Sequence, residues 1–193
     1  MKGLTMSDVK KIMEMIKEND VTYVDVRFTD PRGKMQHLSQ HVDTINEETL
    51  EEGFMFDGSS IAGWKAINES DMLLKPDLYR AYMDPFFAQP TLALFCDVLE
   101  PSSGQPYSRD PRSTAKAAIA HMASTGVADT AFFGPEAEFF LFEDVKMDVS
   151  MNRGYYEVDS SEGPYNSAKN YDEGNLGHRP GIKGGYFPVP PVD

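Results

Sequence analysis

Two glutamates, Glu136 and Glu138, interrupt the apolar segment FFGPEAEFFLFED at residues 132–144. The composition of residues 130–142 predicts a β-strand, in which residues two apart face the same way with their backbones roughly 6 to 7 Å apart. Apolar side chains occupy both faces of this strand, which predicts that it is covered on both sides. The two carboxylates would then converge in an environment with little water.

Burial of two neighbouring carboxylates needs compensation, because removing each of them from water costs on the order of several kcal/mol. No Lys or Arg follows the pair until Lys146. A hard divalent cation, which prefers oxygen ligands, would neutralise both charges. The alternative is that Glu136 and Glu138 lie at a sheet edge, in water or paired with basic residues from elsewhere in the fold.

The first hundred residues predict a small α+β domain. Apolar residues at spacings of three and four indicate an amphipathic helix that ends near Asn19, and Asn46 begins a short helix that Gly53 closes. A turn sequence at residues 30–33 joins two strand-forming segments and predicts a hairpin. The strand candidates are residues 21–28, 34–40, 72–75 and 91–98.

The second half of the chain begins like a new unit. Residues 113–124 predict a helix, and residues 130–142 predict the strand described above. Of the 28 glycines and prolines, 12 fall in the final 40 positions, where the sequence shows no further strong helix or strand period. We therefore expect two domains, at residues 1–106 and 107–193, with the second one incomplete and belonging to a longer protein.

A second candidate site is the segment FMFDGSSIAGW, residues 54–64. Asp57 opens a turn with the glycine that follows it, Ser59 and Ser60 supply hydroxyl groups, and Trp64 is the only tryptophan of the chain. One interpretation is a loop that only reverses the chain, with the tryptophan as its anchor. The other is a polar loop that contacts a ligand, and the residues alone leave both interpretations open.

Basic residues and paired glycines occur together in GHRPGIKGGYFPVPP, residues 177–191, and backbone amides in such a stretch can approach a phosphate. The segment lacks the G-x-x-x-x-G-K-[ST] order of a P-loop and follows no clear strand, which excludes a standard nucleotide loop. A solvated loop is the other interpretation of His178, Arg179 and Lys183.

The charge balance limits the possible partners. The chain has 31 acidic and 18 basic residues and a formal net charge of −13. Proteins that bind the phosphate backbone cluster Lys and Arg, so we expect no nucleic acid partner. No apolar stretch approaches the roughly 20 residues that cross a bilayer, and no signal peptide is recognisable. With Cys96 as the only cysteine, these features predict a cytoplasmic protein without a membrane partner.

Six segments, spread from about residue 21 to the last residue, together resemble bacterial type I glutamine synthetase. They are VDVRFTDPRGKMQH, FMFDGSSIAGWKAINESDMLLKPD, YSRDPRSTAK, FGPEAEFFLF, YYEVDS and GHRPGIKGGYFPVPPVD. The resemblance implies an α+β chain, with a β-grasp N-terminal domain followed by the incomplete start of a glutamine synthetase catalytic domain. It also implies a homo-oligomer, a double-hexameric ring of twelve full-length subunits with active sites between neighbours.

The resemblance implies roles for single residues. Asp57 and Ser60 match a loop offered to the neighbouring subunit's site, where the aspartate helps to bind and deprotonate ammonium. Tyr186 matches a tyrosine beside that ammonium site, and Trp64 matches a tryptophan near the nucleotide edge.

Glu136 and Glu138 match two metal-binding glutamates of the same family. The family pattern often reads E-P-E, whereas this chain has alanine between the glutamates. That middle side chain points away from the metals, so we expect no functional loss from the difference.

The implied reaction is ATP-dependent formation of glutamine from glutamate and ammonium through a γ-glutamyl phosphate intermediate. Mg²⁺ or Mn²⁺ is the implied cofactor, and ATP is the co-substrate. The remaining metal, glutamate and nucleotide residues of the family are expected beyond Asp193, so we expect the chain alone to be inactive. The alternatives are a glutamate–amine ligase of the same family, and a non-catalytic truncated paralogue that binds a full-length synthetase. Asp57, Ser60 and Tyr186 together favour ammonium over a larger amine.

Overall fold

The structure, a computed structural model, describes residues 6–161, 163, 165 and 166. It divides into two compact units, Met1–Phe132 and Phe133–Asp193. In chain order the elements are α1 (Met6–Glu18), β1 (Tyr23–Thr29), β2 (Met35–His41), α2 (Glu47–Glu52), β3 (Phe54–Asp57), β4 (Asp71–Met83), β5 (Thr91–Leu99), α3 (Pro111–Thr125), β6 (Asp144–Ser150) and β7 (Arg153–Asp159).

The first unit contains a five-stranded sheet in the order β2-β1-β5-β4-β3. Strands β1 and β5 are parallel at its centre, and the other neighbouring pairs are antiparallel. The predicted hairpin is confirmed, because β1 pairs with β2 across a turn in which the side chain of Asp30 accepts hydrogen bonds from the amides of Arg32 and Lys34, each at 2.9 Å. The expectation of about four strands was wrong, because β3 adds a fifth from a segment interpreted only as loop.

Alternate residues of the strands form the core, because side chains two residues apart along a strand point to the same face of the sheet. Val24, Val26 and Phe28 of β1 lie on one face of the sheet and are almost fully buried. Helix α1 packs on this core with its apolar stripe, including Val9 and Ile12, which confirms the predicted amphipathic helix. The predicted short helix is also confirmed as α2, whose N-cap is Asn46 and whose C-cap is Gly53.

A charged network is buried on the opposite side of strand β1. Asp25, whose side chain is 1% exposed, accepts a hydrogen bond from Ser39 Oγ at 2.8 Å and lies 2.7 Å from His37 Nδ1. Arg27 donates from Nε to Asp25 at 2.7 Å and from Nη2 to Asp84 at 2.6 Å. Burial acts to raise the pKa of Asp25, but the hydrogen bonds from His37 and Arg27 outweigh it and hold the pKa below its ordinary value.

Replacing Asp25 with asparagine is expected to lower the free energy of unfolding by about 2 kcal/mol at neutral pH, because Arg27 loses one of its two buried ionic partners. A lowered pKa means that the unfolded chain binds more protons than the folded one. The carboxylate therefore stabilises the fold fully above the ordinary pKa of about 4, and this stabilisation is lost as pH falls through the lower folded-state pKa.

Urea unfolding at a series of pH values from 7 to 3 measures this effect. The Asp25→Asn chain should lose less stability across the acidic range than the wild type. Asp43→Asn is the matched control, because the Asp43 side chain is 84% exposed, and we expect a change within about 0.5 kcal/mol. Equal losses of unfolding free energy at pH 7 in Asp25→Asn and Asp43→Asn would contradict the prediction.

Helix α3 follows the sheet and confirms the predicted helix. Its N-cap, Asp110, is fully buried and accepts hydrogen bonds from Ser113 through the amide at 3.0 Å and the hydroxyl at 2.6 Å. Arg112 pairs with Asp97 at 3.0 Å and with Asp77 at 2.7 Å, which attaches the helix to β5 and β4 within the first unit. The domain boundary between residues 106 and 107 stays a prediction.

The expected strand at residues 130–142 was wrong. Residues 131–142 form neither helix nor strand, and Phe139, Phe140 and Leu141 are 78%, 83% and 80% exposed. A strand needs a neighbour that accepts and donates its backbone hydrogen bonds, and no other part of the described chain pairs with this segment. Instead, the second unit contains a hairpin of β6 and β7, which was not predicted.

Candidate functional site

The loop that follows β3 exposes a carboxylate at a defined position. Asp57 is the last residue of the strand, and residues 58–60 continue as one turn of 3₁₀ helix that Asp57 caps. Its Oδ1 atom accepts hydrogen bonds from the Ser59 amide at 2.8 Å and from Ser59 Oγ at 2.6 Å. Asp57 and Ser60 are both exposed, so a ligand could approach either side chain.

Asp57 is held in its ionised form. The hydrogen bonds from the side chain and the backbone amide of Ser59 lower its pKa below the ordinary value. Asp71 lies directly opposite Asp57 in the register of β3 and β4. Two carboxylates on neighbouring strands at a sheet edge make this position attractive to a cation.

The backbone of the loop is fixed against β4 at Gly58. This buried glycine donates its N–H to the carbonyl oxygen of Ser70 at 2.7 Å. A Cβ atom at this position would lie 2.5 Å from Cγ of Met72 and 3.1 Å from the same carbonyl oxygen. Only glycine lets these two segments of the backbone approach so closely without a shift. The position of the turn that carries Asp57 is therefore fixed relative to β4.

Trp64 anchors the other end of the loop. Its side chain is 6% exposed, and its ring lies 5.4 Å from Phe28, 6.0 Å from Phe56 and 5.3 Å from Tyr107, measured between ring centroids. Its Nε1 atom is buried and donates no hydrogen bond among the described residues. The ring thus packs in the core as an anchor, and its predicted contact with a nucleotide stays a prediction.

Two further residues, which were not predicted as site residues, also contact this loop. Arg109 donates from Nη1 to the carbonyl oxygen of Gly63 and, at 3.5 Å, to that of Trp64. Tyr107 closes the aromatic cluster from the same segment. They lie more than 40 positions away along the chain, and no local spacing connects them with the loop, so only the fold brings them together.

A cleft of about 590 Å³ lies beside the loop. Its wall includes Ser70, which accepts the hydrogen bond from the Gly58 amide, and Asp71, which lies opposite Asp57 in the strand register. Lys65 also lines it and forms an ion pair with Glu100, with N–O distances of 2.7 and 2.9 Å. Acidic side chains outnumber basic ones around the cleft, which favours positively charged over negatively charged ligands.

The two glutamates expected to bind metal lie in the second unit. Glu136 and Glu138 are both exposed and lie outside any strand, so the expected burial was wrong. Within the described residues neither accepts a hydrogen bond or forms an ion pair, and no group of three or more His, Cys, Asp or Glu side chains gathers around a common point. Their metal binding stays a prediction.

The remaining predicted residues belong to the last part of the chain. Tyr186 lies outside the described residues, as do the basic residues of the glycine-rich segment, His178, Arg179 and Lys183. Of the predicted site, the structure therefore brings Asp57 and Ser60 together in one exposed turn, with Trp64 at the end of the same loop.

Family models identify both parts of the sequence. Residues 20–101 match the glutamine synthetase beta-Grasp domain, and residues 108–193 match the glutamine synthetase catalytic domain. The chain belongs to the glutamine synthetase family. The five-stranded sheet with the Asp57 loop is thus the β-grasp domain, and residues 108–193 are part of the catalytic domain.

Individual relatives agree with this membership. Glutamine synthetase of Azospirillum brasilense is 68% identical over 188 residues, which are 97% of this chain and 40% of that protein. The 3-hydroxylaminophenol mutase of Cupriavidus pinatubonensis is 56% identical over 185 residues, which are 96% of this chain and 40% of that protein. The chain thus spans about 40% of the length of the curated relatives it matches.

A solved structure supports the glutamine synthetase fold. Plasmodium falciparum glutamine synthetase matches with a TM-score of 0.68 and 26% sequence identity, over 100% of this chain and 38% of that one. In the described part of the chain, every helix is too short or too polar to span a bilayer.

Proposed function

We propose that this chain is part of a ligase subunit that forms glutamine from glutamate and ammonium with ATP, through a γ-glutamyl phosphate intermediate. The observation that carries this proposal is the exposed, ionised carboxylate of Asp57. Ser59 holds it at the end of a strand, in a domain that matches the glutamine synthetase β-grasp domain.

Asp57 has a defined task in such a reaction. Ammonium has no lone pair, so it must lose a proton before its nitrogen attacks the acyl phosphate. A carboxylate stabilises the cation and can accept a proton from it. The lowered pKa keeps Asp57 ionised, which favours binding of the cation. Ser60, exposed in the same turn, supplies a hydroxyl oxygen as a further hydrogen-bond acceptor for the ammonium ion.

Glu136 and Glu138 would hold Mg²⁺ or Mn²⁺, because carboxylate oxygens are the ligands that these ions prefer. When bound, such a metal polarises the γ-phosphate of ATP and reduces its repulsion of the glutamate carboxylate. The two glutamates provide only part of a coordination shell, and they are exposed. We therefore propose that other parts of a longer subunit complete the site and that the chain alone does not form glutamine.

The exposure of the Asp57 loop agrees with a site shared between subunits of a homo-oligomeric ring. The apolar segment of residues 132–142 is likewise exposed, with Phe132 and Phe133 at 94% and 88%. Exposed apolar patches of this kind usually mark contact surfaces. A cytoplasmic location remains part of the proposal.

A chimaera tests the proposed function. Residues 1–193 are joined to the part of Azospirillum brasilense glutamine synthetase that has no counterpart in this chain, and glutamine is measured directly after incubation with glutamate, ammonium, ATP and Mg²⁺. Direct product detection is needed, because a relative with a different named activity is 56% identical to this chain. We expect the chimaera to form glutamine and the 193-residue chain alone to form none.

Replacing Asp57 with asparagine in the chimaera is expected to lower kcat/KM for ammonium at least about 100-fold, the lower range for loss of a general base. Asp43→Asn makes the same chemical change at an exposed position and should leave the rate unchanged. An assembled chimaera that forms no glutamine contradicts the proposed function, and equal rates in the two variants contradict the role of Asp57.

A further inference from the structure

Ser59 makes two hydrogen bonds to Asp57 but has no contact of its own with ammonium in the proposed reaction. Both go to one carboxylate oxygen, Oδ1, from the backbone amide at 2.8 Å and from the hydroxyl at 2.6 Å. We infer that Ser59 is a positioning residue, which fixes the Asp57 carboxylate in the orientation that receives a cation. This inference rests on the proposed function of Asp57 as the ammonium-binding residue.

The geometry limits the motion of the carboxylate. The amide that binds Oδ1 belongs to a turn whose backbone is fixed by the hydrogen bond from Gly58 to Ser70 at 2.7 Å. The hydroxyl bond, at 2.6 Å, is within the short range of hydrogen bonds to ionised oxygens. Two donors on one oxygen restrict rotation of the side chain before any ligand binds. Binding then costs less conformational entropy at the carboxylate.

Among the described residues, the charged side chains near Asp57 do not stabilise its carboxylate in place of Ser59. Asp71 lies opposite Asp57 in the strand register and carries the same charge. Lys65 has its side chain beside Gly58, but its ammonium group forms an ion pair with Glu100. Lys65 also lies near Glu69. Within the described residues, no cation pairs with Asp57. The Ser59 bonds are therefore the main favourable contacts of its negative charge, with a smaller contribution from a hydrogen bond of the Ser70 side chain.

The adjacent serines offer a matched comparison. Ser59 is partly buried and bound to Asp57, whereas Ser60 is exposed. If the Ser59 hydroxyl only stabilised the turn that Asp57 caps, its removal would change stability and the pKa of Asp57 but not KM for ammonium. If Ser59 positions the carboxylate, Ser59→Ala raises KM for ammonium as well, and an unchanged KM overturns the inference.

The first experiment follows the carboxyl carbon of Asp57 by NMR through an acid titration of the 193-residue chain. We expect Ser59→Ala to raise the pKa of Asp57, Ser59→Thr to restore it, and Ser60→Ala to leave it at the wild-type value. Ser59→Gly removes the same hydroxyl and serves as a second variant if Ser59→Ala lacks the dispersed spectrum of a folded chain. An unchanged pKa in the variants without the hydroxyl overturns the inference.

The second experiment measures kinetics in the chimaera. Ser59→Ala is expected to raise KM for ammonium about three- to tenfold, the size of one lost charge-assisted hydrogen bond at an exposed site, and to shift the acidic limb of kcat/KM to higher pH. Ser59→Thr should reverse both changes. A chimaera that forms no glutamine contradicts the proposed function, while the NMR titration still decides whether Ser59 controls Asp57.

Discussion

Replacing Gly53 with alanine is expected to lower the free energy of unfolding by about 3 kcal/mol. Gly53 ends α2 and begins the connection to β3 with φ of 101° and ψ of −172°, a region that is essentially restricted to glycine and costs other residues of the order of 1–3 kcal/mol. Space is also lacking, because an added Cβ would lie 2.5 Å from the backbone oxygen of Leu74. Backbone strain and steric overlap therefore add at one position.

Urea unfolding of the 193-residue chain measures this loss. Gly33→Ala is the matched control, because Gly33 also has a positive φ, 83°, but no atom lies within 4 Å of the added Cβ. We expect a loss of about 1 kcal/mol there, from backbone strain alone. A Gly53→Ala variant that is no less stable than Gly33→Ala would show that α2 and β3 can move apart at little cost.

The sequence predicted the elements that carry their own local signals. The hairpin β1–β2 has a turn sequence between two strand-forming segments, and α2 has a capping residue at Asn46 and a closing glycine at Gly53. Strand β3 is only four residues long, and its pairing with β4 depends on distant chain. The hairpin β6–β7 was missed, although Val145, Met147 and Val149 alternate with polar residues.

The strand that was expected at residues 130–142 and did not form shows a different limit of prediction from sequence. Composition can predict that a segment suits a strand, but it cannot show whether a neighbouring strand is available. In the described chain none pairs with this segment, so its phenylalanines are exposed. The same limit applies to Glu136 and Glu138, whose expected burial depended on that strand.

The sequence likewise predicted some residues of the candidate site and missed others. Asp57 and Ser60 could be selected because they occupy a turn sequence with polar side chains, and the resemblance assigned them a role. The bond from Ser59 follows from the known tendency of aspartate to accept from the amide two residues on. The hydrogen bonds from Arg109 to the carbonyl oxygens of Gly63 and Trp64 could not be predicted, because they join segments that only the complete fold brings together.

Replacing Trp64 with alanine is expected to lower the free energy of unfolding by about 3–5 kcal/mol, the range for truncation of a large buried aromatic side chain. Its ring contacts Phe28, Phe56 and Tyr107, so its removal leaves a cavity under the loop that carries Asp57. Phe86→Ala is the control, because Phe86 is 93% exposed, and we expect a change within about 0.5 kcal/mol. Urea unfolding of both variants provides the comparison, and equal losses contradict the anchoring role.

Trp64→Phe separates the anchoring role from the proposed contact with a nucleotide. Phenylalanine keeps an aromatic ring in the cluster and removes a buried N–H that donates no hydrogen bond among the described residues, so we expect a smaller loss than with alanine, about 1–2 kcal/mol. In the chimaera, KM for ATP then reports on the nucleotide contact. A higher KM in a variant that remains folded supports that contact. An unchanged KM assigns Trp64 to the core alone, where its effect on catalysis would come from the position of the Asp57 loop.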